Sequence, residues 1–106
     1  MSQQLAFETK LSKRDFFVYT KLWVYLRLEV DAKKATGEEC DGAFCVDDLR
    51  AYGLDRFFRD PEHDLGAFFL RLKVNALVED VGDCYSLFAS NNGRRIRRYR
   101  MRGWNQ

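Results

Sequence analysis

The chain has 106 residues, 46% hydrophobic and 15% aromatic, which is too apolar for a disordered segment and enough for one domain with a modest core. The formal net charge is +2, but it is unevenly laid out: residues 94–102 (RRIRRYRMR) hold six arginines and no acid, leaving residues 1–93 at −4. No apolar run reaches the roughly 18 uncharged residues of a membrane span, and Lys10, Lys13 and Arg14 interrupt any leader-like start, so a cytoplasmic location is expected (a host's cytoplasm for a viral chain).

Residues 1–11 are polar and read as a flexible arm, from which Leu5 and Phe7 can cover apolar surface. Ser12 and Asp15 make a capping-box pattern ahead of a run from Phe16 to Val30 without Gly or Pro, which predicts a helix. Residues 22–30 also alternate at the strand period. The 23 uninterrupted residues from Ser12 to Lys34 are nevertheless too many for an ordinary strand. Phe16, Tyr19, Trp23 and Val30 lie on one side of this helix and Val18, Leu22 and Tyr25 on the other. A helix apolar all round is covered all round, and a small domain has little to cover it with, so a homodimer is expected.

Residues 37–42 (GEECDG) form a polar turn that lacks the ligand pattern of a calcium loop. Ala43 to Val46 suits a short strand. A second helix should begin at Asp47 or Asp48 and run through Tyr52, stopped by Gly53, with Leu54, Phe57 and Phe58 packing beneath. Arg56 and Arg59 precede the next helix, where a phosphate clamp is conceivable and pairing with local carboxylates is the simpler use.

The third helix is signalled by Asp60 as N-cap, Pro61 at the first position, and Glu62 and Asp64 in the first turn. Leu65, Phe68, Phe69, Leu72 and Ala76 recur on its apolar face. The opposite face holds His63, Gly66, Ala67, Leu70, Arg71 and Val74, flanked by Lys73 and Asn75. Base edges call for Arg, Lys, Asn or Gln, which His63, Arg71, Lys73 and Asn75 supply sparsely. Leu70 and Val74 suit a protein contact equally well. Ala76 to Leu87 then reads as a strand, Ser90 to Gly93 as a turn, and Arg94 to Met101 as the returning strand. Alternation puts Arg95, Arg97, Tyr99 and Met101 on one face and Arg94, Ile96, Arg98 and Arg100 on the other, with Tyr99 and Met101 as core anchors. Residues 103–106 are read as a tail.

Three helices, a short strand after the first and a basic two-stranded flap describe an α+β winged helix-turn-helix domain spanning residues 12–102. The series Pro61-Glu62-His63, Gly66-Ala67-Phe68-Phe69, Val81-Gly82, Ser86 and Asn92-Gly93-Arg94-Arg95-Ile96 resembles small winged-helix domains of prokaryotic and phage proteins. The likeness covers residues 43–102. It implies duplex DNA as partner, in a regulator or a replication or recombination accessory factor. His63, Arg71, Lys73, Asn75, Asn92, Arg94, Arg95, Arg97, Arg98 and Arg100 are the candidate nucleic-acid-binding residues. The acidic first turn of the third helix and its few amide side chains argue against sequence-specific groove readout.

Other chemistry is thinly represented. Cys40, Cys45 and Cys84 are odd in number and widely spaced, as in a reducing compartment, and with His63 they lack the paired spacing of a structural zinc site. Glu79, Asp80 and Asp83 are in principle able to bind a divalent ion for nuclease chemistry, but arginines nearby make ion pairing the simpler role. No catalytic constellation is present, so neither enzyme activity nor a cofactor or metal is expected. The alternative to a DNA-binding wing is a protein-interaction domain of the same fold, docking a partner through apolar helix faces.

Overall fold

A computed structural model describes residues 10–85 and 95–104. Helix α1 (Lys13–Ala35) begins in the anticipated capping box: Ser12 Oγ accepts the Asp15 N–H and Asp15 Oδ2 accepts the Ser12 N–H, both at 3.1 Å. It ends in a Schellman turn, with Glu38 N–H donating to Lys33 O and Gly37 N–H to Lys34 O, Gly37 taking the left-handed conformation. Its apolar residues divide cleanly. Val18, Leu22, Leu26 and Val30 are buried; Tyr19, Trp23 and Tyr25 are partly buried; Phe16, Phe17, Val24 and Leu28 face out. Burying four aliphatic side chains, at about 1.5–3 kcal/mol each, outweighs a strand preference spanning only about 1 kcal/mol per residue.

Helix α2 (Val46–Ala51) starts one step earlier than the sequence suggests. Cys45 is the N-cap residue, and Asp48, at the third helical position, accepts the Cys45 N–H at 2.8 Å. Tyr52 and Gly53 close it, and a 3₁₀ turn (Leu54–Phe57) sends Leu54 and Phe58 into the core. Helix α3 (Pro61–Val74) buries Leu65, Phe68, Phe69 and Leu72 as expected. Ala76 does not belong to that face: it follows the helix, exposed and at φ 59°, where the chain turns into the sheet.

Strands β1 (Val78–Tyr85) and β2 (Arg95–Met101) pair antiparallel; β1 begins at Val78, two residues after the expected Ala76, and the expected ends at Leu87 and Arg94 lie outside the described residues. The expected turn, with Asn92 and Arg94, lies outside the described residues. The anticipated strand at Ala43–Val46 is a single bridge, in which Phe44 and Tyr99 exchange both backbone hydrogen bonds at 2.8 Å. Phe44 thereby docks on the edge of β2 opposite β1. The arrangement is an α+β winged-helix topology with a small open sheet. Its core runs from α1 through Phe44, Phe68 and Phe69 to Val78 and Met101 at the base of the flap. Trp104, in the stretch read as a tail, is buried: its ring stacks on Trp23 at 5.2 Å beneath the Arg27 guanidinium.

Candidate nucleic-acid interface

The flap is shaped by one irregularity. Asp80 pairs with Tyr99, but the next pair is Gly82 with Arg98, so Val81 is an extra residue and β1 bulges. Gly82 sits at φ 126°, a conformation other residues rarely adopt. Simple alternation would put Asp80 and Asp83 on opposite faces. The bulge puts them on the same one, with Asp83 across from Arg97 and Tyr85 across from Arg95.

On that face, Arg97 Nη1 donates to Asp80 Oδ2 at 2.8 Å and Lys73 Nζ lies 3.8 Å from the same oxygen. Asp80 Oδ1 accepts the Gly82 N–H at 3.2 Å, and Arg95 reaches Asp83 at 3.6 Å. The Asp80 carboxyl is held below its ordinary range, chiefly by the Gly82 N–H and then by Arg97 and Lys73 against a desolvation cost. On the opposite face Arg98 and Arg100 converge on Asp41 at 3.7 and 3.4 Å, and Arg100 also lies 3.9 Å from Glu79. Asp41 is anchored by the Ala43 N–H at 3.0 Å, which together with the two arginines depresses its carboxyl. The strip that is purely basic in sequence is thus two clusters on opposite faces, each gathered around an acid contributed from elsewhere.

The α3-side cluster overlooks a groove of about 350 Å³ between α2, α3 and β2. Leu65, Phe69 and Tyr99 form part of its apolar lining, and Arg50, Arg95, Arg97 and Glu62 supply charge. Tyr99 stacks on Phe69 at 5.0 Å, and Met101 is fully buried, so both expected anchors hold the flap to the core. Gly66 leaves the rim low: a Cβ there would meet no atom within 4 Å.

The expected α3 readers fare differently. Arg71 is not presented to a ligand. Its Nε and Nη2 make a bidentate pair with Asp15 of α1 at 2.8 and 3.0 Å, with Asp15 buried. Asn75 turns its Nδ2 back on the Arg71 carbonyl at 2.8 Å, serving the helix end. His63 is exposed, with Nδ1 2.7 Å from Asp60 Oδ2, a contact that raises its pKa; Asp60 is the N-cap residue of α3 but makes no side-chain cap bond. Lys73 is half-exposed beside Asp80. Leu70 and Val74 stand exposed on the outward face.

The chain matches no protein-family model, and no curated protein or solved structure matches it significantly.

Among the described residues no group of three or more His, Cys, Asp or Glu could hold a metal ion, and no helix is long and apolar enough to cross a membrane. The Cys45 thiol pKa is pushed up to about 12 by burial and by the neighbouring Asp48, which disfavours the thiolate. Asp41 is the residue sequence reasoning missed. It lies in a polar turn 59 residues before Arg100, and nothing local announces their meeting.

Proposed function

We propose that this domain binds duplex DNA through phosphate contacts made by Lys73, Arg95 and Arg97, the cations on the α3 side of the flap. The observation that carries the reading is the meeting of Lys73 and Arg97 at Asp80, with Arg95 alongside at Asp83, next to a groove lined by Arg95, Arg97 and Gly66 that is open to a polyanion approaching α3. Arg98 and Arg100 face the other way and tie the flap to the Asp41 turn. Base readout by α3 has little support, because Arg71 is spent on Asp15 and the outward face offers Leu70 and Val74. Such binding suits a regulator or a replication or recombination accessory factor that follows backbone geometry more than sequence. Three phosphate contacts give a slope of about −3 in log affinity against log salt. Fluorescence anisotropy with a labelled duplex, across a salt series, should return a slope near that value and similar affinities for unrelated sequences. Affinity indifferent to salt would reject the reading.

A second reading has its own support. Phe16, Phe17, Val24 and Leu28 are 46–61% exposed on the outward side of α1, and a second copy of the chain would cover them in a homodimer.

A further inference from the structure

Asp80 occupies the centre of the cluster proposed to grip phosphate. Oδ2 receives a guanidinium from β2 and lies near an ammonium from α3, while Oδ1 is fixed by the backbone of the bulge. Two cations from separate elements meeting at one anionic oxygen is the geometry a phosphodiester oxygen would accept. The Gly82 N–H holds the other carboxylate oxygen at 3.2 Å, and the side chain is 22% exposed. A duplex approaching Lys73 and Arg97 therefore meets cations already paired, with a negative charge between them.

We propose that Asp80 is a built-in competitor for phosphate, an intramolecular stand-in that sets the affinity of the flap and keeps its grip on nucleic acid weak. This rests on the DNA-binding reading and adds a residue that opposes it. The pair on the other face supplies the contrast. Asp41 neutralises Arg98 and Arg100, which do not face the same ligand, so it should not act as a competitor.

Asp80→Asn removes the charge and keeps an oxygen for the Gly82 N–H, so the bulge should survive. The expected result is about fivefold tighter duplex binding at moderate salt, the loss of one exposed ion pair's worth of competition. The salt slope should stay near that of the parent, because the same three cations meet phosphate in both proteins and only the competing charge is removed. Asp41→Asn should leave affinity within twofold, and Asp80→Asn should give no gain when Lys73 and Arg97 are both methionine. Circular dichroism melting shows whether each variant is folded. Unchanged or weaker binding by folded Asp80→Asn, where the parent protein binds, overturns the competitor role alone. Binding by neither protein overturns it together with the DNA reading, and an equal gain from Asp41→Asn reduces it to a general charge effect.

Discussion

Arg71 illustrates how a residue's partner decides its role. On a helical wheel it points outward, as a reader of bases would, yet its fork closes on Asp15, which also completes the capping box of α1. Removing one member of a buried ion pair strands the other charge. Asp15→Ala should cost about 3 kcal/mol in urea unfolding, and Arg71→Ala should lower stability without altering preference among DNA sequences. The pH dependence follows from the same pair. Burial is the largest single influence on Asp15 and acts to raise its pKa, but Arg71, Ser12 N–H and Arg14 together hold it below the ordinary carboxylate value. Its contribution is thus present above an unfolded pKa of about 3.9 and is lost as pH falls through the lower folded value. Thermal melts of the parent should drop below about pH 4, and those of Asp15→Asn should drop less. Gly42 sets a second test. It holds φ 78°, and a Cβ would come within 2.3 Å of the Trp104 ring, so Gly42→Ala should cost about 2–4 kcal/mol by the same unfolding measurement.

At the scale of elements, local signals were readable and distant pairings were not. Ser12 and Asp15 announced the start of α1, Pro61 the first turn of α3, and Tyr99 and Met101 the buried end of β2, each through capping or alternation within a few residues. The β1 bulge was not legible, because Val81-Gly82 fits a plain strand until the register with β2 is known. Nor were Arg71–Asp15 and Arg100–Asp41, whose partners lie 56 and 59 residues apart. For α1, sequence located apolar residues on both sides, and the structure assigns Val18, Leu22, Leu26 and Val30 to the core, leaving Phe16, Phe17, Val24 and Leu28 outside. Sedimentation at micromolar concentration should report twice the chain mass. The double change Val24→Glu and Leu28→Glu, both at exposed sites, should give a monomer with stability altered by less than about 0.5 kcal/mol. A parent protein that is monomeric throughout would remove the homodimer.

In the whole molecule, the placement of charge in three dimensions differs from its placement along the chain. An acidic body and a basic strip, distinct along the chain, fold into interleaved pairs: Asp80 with Lys73 and Arg97, Asp83 with Arg95, Asp41 with Arg98 and Arg100. The two faces of the flap differ in surroundings: Arg95, Arg97 and Tyr99 line the groove beside α3, whereas Arg98 and Arg100 lie against the Asp41 turn. The most direct measurement compares duplex binding by two folded variants in one salt series, one with Lys73, Arg95 and Arg97 changed to alanine and one with Arg98 and Arg100 changed to alanine. The first should lose nearly all affinity and its salt slope, while the second should bind within about threefold of the parent and keep a slope near −3. Equal losses in both, or full binding by the first, would contradict duplex binding through Lys73, Arg95 and Arg97.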